Sequence, residues 1–218
     1  NQYIEQLYGF DSISNMLKYN INLVGLENVI QRNRTSLDIN WSTNLRMQEK
    51  TREAEERVST IFYRVKGDEP SKLSEGSEAK ETITSDLQWV SYKQQYFNQT
   101  IIAEKGFTDA VLETKNDPYK TNLRKFSSIL TIPYDHNNNE SFAMKIYYGP
   151  NHYKTLETLN ISLERIVTLG WGVFRWVNKY IVINVFDFLS RYIGSFGIII
   201  LMLTLRLILY IINITNNI

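Results

Sequence analysis

The chain has no cysteine. Disulfides, thiolate metal sites and a cysteine nucleophile are therefore excluded. Histidine is scarce: His136 sits in "DHNNNE", a solvated turn, and His152 follows Gly149-Pro150. Neither is placed for a metal pair or a catalytic triad. An excess of one charge is also missing, with 24 Lys+Arg against 23 Asp+Glu. Nucleic acid needs a basic face, so it is not the expected partner. Four prolines and ten glycines are too few for a low-complexity chain. No glycine-rich phosphate loop or nucleophile elbow occurs. The opening "NQYIEQLYGFDS" has no basic segment ahead of an apolar one, so it does not read as a signal peptide.

Up to about residue 150 the grammar is that of strands. "YNINLVGLENVI" is rich in β-branched and aromatic residues. In "LDINWSTNLRM", Leu37, Ile39, Trp41, Thr43, Leu45 and Met47 alternate onto one face. "STIFYRVKG" is a further short strand. In Gln88–Glu104 the aromatics fall on both parities, which predicts a bulge or a crossing between sheets. "KFSSILTIPYD" and "ESFAMKIYYGP" read as two strands joined by the hairpin loop "HNNN". Charged "QEKTREAEERVS" reads as an exposed loop or short surface helix. Polar "DEPSKLSEGSEAKETITSD" reads as a long hairpin loop.

Strands with turn signals and few helices point to an antiparallel sandwich or barrel. Such sandwiches often bind sugars, and Trp41, Trp89 and Tyr92 are the aromatics that could line a cleft, with core packing as the alternative role. Six Asn-x-Ser/Thr triplets begin at Asn33, Asn40, Asn98, Asn139, Asn160 and Asn213. They follow from the asparagine-rich composition.

From Asn151 the pattern turns helical. Ile161–Gly194 reads as helix with Ser162 as its cap, weakened by Gly170 and Gly172. Beyond them Arg175, Asn178 and Lys179 form a polar stripe at i, i+3 and i+4. Trp171, Phe174, Trp176, Val177, Tyr180 and Ile181 cover most of the rest. Indole and phenol rings beside basic heads are the pattern of a helix lying in a membrane interface.

The apolar run Ile193–Ile212 carries one charge, Arg206. A central arginine costs about 2.5–3.5 kcal/mol on insertion scales. Each Leu or Ile returns roughly 0.3–0.6 kcal/mol. With ten or more of them in the run, the segment inserts despite its arginine, provided the charge faces a polar cavity or partner.

The segments "LDINW", "STIFYR", "WVSYKQQYF", "YYGPNHYKTLE", "LGWGVFRWVNKYIVI" and "FDFLSRYIGSFGIIILMLT" resemble the YidC/Oxa1/Alb3 membrane protein insertases, nearest to the Bacteroidetes YidC branch. The resemblance runs from about Tyr19 to Thr204. It implies a mainly β fold. Residues 1–160 would be an N-terminally incomplete periplasmic β-supersandwich, similar to sugar mutarotases. Residues 161–194 would be domain-closing and amphipathic interfacial helices seated by Trp171, Phe174, Arg175, Trp176, Lys179 and Tyr180. Residues 195–213 would be a transmembrane helix opening a multi-helix core in the bacterial inner membrane, with residues 1–194 on the periplasmic side.

The implied function is insertion and folding of nascent membrane proteins, alone or with the Sec translocon, without a cofactor or covalent catalysis. The ribosome would be met through parts outside this chain. Arg206 would be the charge of a hydrated groove that attracts polar segments of the client. A membrane-anchored carbohydrate-binding or scaffold sandwich is the alternative.

The chain departs from the family pattern at three places. The groove charge is expected at Ile208, and Arg206 comes two residues earlier, a rotation of ~200° on a helix. Asn184 and Asn213 stand where prolines are usual.

Overall fold

A computed structural model describes residues 2–10, 15–194 and 196–215, without the side chains of 196 and 210–215. The chain divides into two compact units, residues 1–167 and 168–218.

The first unit is built from eleven strands: β1 (Tyr3–Phe10), β2 (Met16–Val24), β3 (Ser36–Leu45), β4 (Thr60–Val65), β5 (Ser71–Lys72), β6 (Ala79–Ile83), β7 (Leu87–Lys93), β8 (Phe97–Phe107), β9 (Asp109–Asn116), β10 (Arg124–Pro133) and β11 (Asn139–Pro150). They form two antiparallel sheets. The seven-stranded sheet has the order β1-β2-β11-β8-β7-β4-β5, and the four-stranded sheet β3-β10-β9-β6.

The main core lies between them. Val90, Tyr92, Ile101 and Met144 from the large sheet meet Leu112, Phe126 and Leu130 from the small one. Alternation drives this. In β10 the buried residues Phe126, Ser128, Leu130 and Ile132 face inward, and their neighbours are exposed or half-buried. In β3 the expected face, Leu37 to Leu45, packs inward, whereas Met47 is exposed.

β7 breaks alternation for a different reason. Val90 and Tyr92 point into the sandwich, while Trp89 on the opposite face is also fully buried. The outer face of the large sheet is covered by α2 (Tyr153–Glu157) and a 3₁₀ turn at Leu163–Ile166. Leu156, Leu163 and Ile166 close over Phe62, Trp89, Ile102 and Tyr147. A strand covered on both faces has no solvent parity to display.

The β7–β8 register also shifts between Leu87 and Trp89, so the expected bulge is present. Opposite it Gly106 adopts φ +90°, and a Cβ there would stand 3.2 Å from the Leu87 carbonyl oxygen. Glycine supplies both the left-handed backbone and the close approach.

Three sequence expectations are corrected. β10 and β11 do not form a hairpin, because β10 pairs with β3 and β9 while β11 pairs with β2 and β8. Their connection crosses from one sheet to the other. The polar stretch Asp68–Asp86 is not one loop. β5 extends the large sheet beside β4, and β6 is the edge of the small sheet beside β9. An edge strand with one wet face needs few apolar residues, and Leu73 and Ile83 are the buried ones here. Ser162 does not cap a helix. It sits at φ +59° with no side-chain bond to the following turn.

The charged stretch after β3 forms a short helix, α1 (Arg52–Glu56). Arg52 fastens it to the β9–β10 loop through the carbonyls of Lys120, Asn122 and Leu123.

In the second unit the chain is not helical through the glycines. Gly170 takes φ +86°, and α3 (Gly172–Val177) starts only after it. α3 continues through a π segment (Asn178–Val182) into α4 (Ile183–Ser190) without leaving the helical region at either junction. Asn178 Nδ2 donates to the Leu169 carbonyl at 2.9 Å and ties down the entry. α5 (Phe196–Thr215) follows and packs against α4. Among the described residues no helix is long and apolar enough to cross a membrane. The departure at Asn213 lies outside the described side chains.

Candidate functional site

The three aromatics considered for a ligand cleft are structural. Trp89 is fully buried, and its Nε1 donates to the Ile161 carbonyl at 2.9 Å. Arg64 Nη1 donates to the same carbonyl at 3.0 Å. Arg165 in the 3₁₀ turn forms an ion pair with Glu69. These bonds fasten the covering layer to the sheet. Tyr92 and half-buried Trp41 stack inside the sandwich, and burial pushes the Tyr92 phenol well above its usual range. Among the spaces that open in this unit is a small cleft of about 160 Å³, lined by Lys105, Gly106, Asp135, Asn137 and Glu140 among others. Glu140 accepts from the backbone N–H of Asp135 at 3.0 Å and of Asn137 at 2.7 Å, so its carboxylate is engaged in shaping the loop.

The histidines serve local structure. His136 Nε2 lies 2.7 Å from the Arg34 carbonyl and donates to it. His152 Nδ1 lies 2.8 Å from Thr155 Oγ1 at the start of α2.

The residues of the aromatic stretch are displayed rather than packed. Trp171 is 79% exposed, Phe174 65%, Trp176 57% and Tyr180 55%. Four large rings exposed on one short stretch make an apolar patch of the kind that marks an interaction surface. They touch one another: Trp171 against Phe174 with ring centroids 6.2 Å apart, and Trp176 against Tyr180 at 5.8 Å. Lys179 Nζ stands 5.7 Å from the Tyr180 ring centre. Arg175 is exposed between the two tryptophans. The result is a strip of rings with basic heads interleaved.

One face of this helical stretch is turned to α5. Tyr180, Asn184 and Phe188 repeat at helical spacing along the π segment and α4. With Met202, Leu203 and Arg206 from α5 they line a cleft of about 520 Å³. Arg206 is exposed into this open, mainly apolar space. Asn184 Nδ2 donates to the Tyr180 carbonyl one turn back, at 2.9 Å. The cleft thus brings together the expected groove charge, one ring of the aromatic strip, and Asn184. Sequence reasoning did not single out Phe188, Met202 or Leu203. The i, i+4, i+8 spacing of Tyr180, Asn184 and Phe188 was the signal that could have found this wall.

Fold and site together define a two-sheet antiparallel β domain that continues into an aromatic, basic and then apolar helical segment. The family profile of the YidC periplasmic domain matches residues 4–183, and the chain belongs to that family. Among its relatives are proteins named membrane protein insertase YidC. The one from Parabacteroides distasonis is 35% identical over 87% of this chain and 31% of its own length. The one from Bacteroides fragilis is 31% identical over 93% of this chain and 34% of its own. The one from Phocaeicola vulgatus is 32% identical over 87% of this chain and 32% of its own. The chain spans about a third of the length of the curated relatives it matches. Family and relatives make it part of a bacterial inner-membrane protein with a periplasmic segment.

Proposed function

We propose that the chain is the periplasmic domain and first core helix of a membrane protein insertase, which helps nascent proteins enter and fold in the bacterial inner membrane. The relationship to insertases over most of the chain carries this reading. In it the β unit is a supersandwich akin to sugar mutarotases and lies in the periplasm with the rest of residues 1–194. The strip Trp171–Tyr180 rests in the membrane interface, its rings at headgroup depth and its basic heads toward phosphates and water.

Residues 195–213 cross the bilayer as one of several spans of the whole protein. Two features support the crossing. The apolar run Ile193–Ile212 would reach about 30 Å as a continuous helix at 1.5 Å per residue, the thickness of the hydrocarbon core. Its leucines and isoleucines from Ile198 to Leu209 are exposed apart from Ile199, which suits lipid and not water.

Insertion in this reading uses no covalent catalysis and no cofactor. Arg206 supplies a charge in a hydrated groove that draws polar or acidic client segments, which then pass to lipid along apolar helices. The partners are nascent membrane proteins, the Sec translocon, and the ribosome through parts of the protein outside this chain. Photocrosslinking probes placed along Phe196–Ile212 of the whole protein test this. Capture of nascent membrane proteins is expected, and probes that trap only lipid and resident proteins would overturn it.

A further inference from the structure

The helical stretch of the second unit carries one pattern twice. "RWVNKY" at residues 175–180 is followed twelve residues later by "DFLSRY" at residues 187–192. Each hexad is polar at its first, fourth and fifth positions, apolar at its second and third, and ends on tyrosine. The ring contacts repeat as well. Trp176 meets Tyr180 with centroids 5.8 Å apart, and Phe188 meets Tyr192 at 5.3 Å. Phe188 and Tyr192 are exposed, as Trp176 and Tyr180 are.

A twelve-residue repeat does not fit an uninterrupted α-helix. At 3.6 residues per turn, twelve residues make three turns and about 120° more. The second polar stripe would point away from the first, and no flat surface could meet both apolar faces. The π segment (Asn178–Val182) removes this misfit. In it the Ile183 N–H donates to the Asn178 carbonyl, five residues back. Such a turn takes up one residue more than an α turn. The repeat then advances like about eleven α-helical residues, three turns and only ~20°. The Asn184 amide, which donates to the Tyr180 carbonyl at 2.9 Å, braces the widened turn. Tyr180 of the first hexad and Phe188 and Leu189 of the second accordingly line the same cleft.

We propose that the π segment sets the phase between the two hexads, so that residues 172–192 meet the bilayer as one surface with two ring patches. This rests on the membrane reading above. It adds Phe188, Leu189 and Tyr192 to the surface which that reading gives to Trp171–Tyr180. The partner is lipid, because the second patch continues the first and repeats its mixture of rings and a basic head, here Arg191. The patches lie about 18 Å apart along the helix axis. Two such contacts hold the helix parallel to the membrane plane, where one would leave it free to tilt.

The test uses the full 218-residue chain in phosphatidylcholine vesicles. The chain has no cysteine, so single cysteines take a fluorescent label. Trp176→Cys and Phe188→Cys report the apolar face, and Arg175→Cys and Asp187→Cys the polar one. Lipid-borne nitroxide should quench the labels at 176 and 188 alike. Those at 175 and 187 should be quenched by aqueous iodide instead. One alanine inserted after Val182 turns the second hexad by about 100°. Lipid quenching should then be lost at 188 and kept at 176. Deletion of Val182 lets a plain α-helix place the hexads in phase, so quenching at 188 should survive it.

Equal lipid quenching at 187 and 188 in the unaltered spacing overturns the proposal. So does a pattern that the alanine insertion leaves unchanged. Lipid quenching at 176 but not at 188 overturns the second patch alone. Its absence at 176 overturns the membrane reading itself, and the two-patch surface with it.

Discussion

The Trp41 and Tyr92 rings stack with centroids 4.0 Å apart and planes 7° from parallel. Trp41 belongs to the small sheet and Tyr92 to the large one, so the stack joins the two layers. The Tyr92 hydroxyl donates to the Trp41 carbonyl at 2.7 Å and stands 2.8 Å from Ser128 Oγ on β10. The Phe126 ring packs edge-on against Tyr92 at 5.5 Å. Tyr92→Phe keeps the stack but removes the hydroxyl, leaving buried partners unpaired. It should destabilise the domain by about 1–3 kcal/mol in urea unfolding. A cycle of Trp41→Leu and Tyr92→Leu isolates the rings, because the carbonyl of residue 41 survives the substitution. A coupling of about 0.5–1.5 kcal/mol is expected.

Trp89 plays the matching part on the outer face. Trp89→Phe removes one donor to the Ile161 carbonyl, but Arg64 still serves that oxygen. A loss of about 1 kcal/mol is therefore expected from the missing bond, together with the cost of a smaller ring. Trp89→Ala should cost about 3–5 kcal/mol and speed amide exchange in Leu163–Ile166, which loses its floor. Protection of that turn that survived Trp89→Ala would show that it is held by other contacts.

Asp117 governs acid behaviour in the β9–β10 loop. The Thr121 hydroxyl and the Asn122 N–H, with the Tyr119 N–H, hold its carboxyl down to about 2, from an ordinary 3.8. A carboxylate whose pKa is lower in the folded state contributes stability above its unfolded value. That stability is lost as pH falls through the folded value. Asp117→Asn should therefore flatten the stability profile between about pH 4 and pH 2, as read from unfolding midpoints across that window.

The interfacial strip makes a prediction about lipid. Trp171→Ala combined with Trp176→Ala should weaken vesicle binding of the chain by about tenfold or more, since burying one large apolar side chain is worth roughly 1.5–3 kcal/mol. Flotation with phosphatidylcholine vesicles measures it. Phe62→Ala, in the packed outer layer of the β unit, should lower stability without this effect on binding.

This chain has no cysteine, so single cysteines placed in it report topology once any cysteine elsewhere in the whole protein has been replaced. Ser77→Cys, in the β5–β6 loop, should react with a membrane-impermeant maleimide from the periplasmic side of the whole protein. Leu205→Cys in α5 should not. Labelling of Leu205→Cys comparable to that of Ser77→Cys would place α5 in water.

Much of the site was legible because periodicity reports what surrounds a face. The ring-and-base pattern of residues 171–180 and the apolar run with Arg206 needed no partner to be recognised. The alternating face of β3 was equally plain, because one side is wet and the other dry. Where both sides are dry, as in β7, the pattern lost its meaning, and Trp89 and Tyr92 looked alike although they serve opposite layers.

The sequence by itself determined the strand-rich domain, the displayed aromatic strip and the family, since these depend on local order and composition. Tertiary structure alone decided that β10 and β11 belong to different sheets, that a polar stretch supplies β6 to the small sheet, and that Asn184 and Arg206 line one cleft. Each depends on which distant segments pair or pack. A residue's own neighbours set its preferred backbone, but long-range pairing sets what its side chain meets.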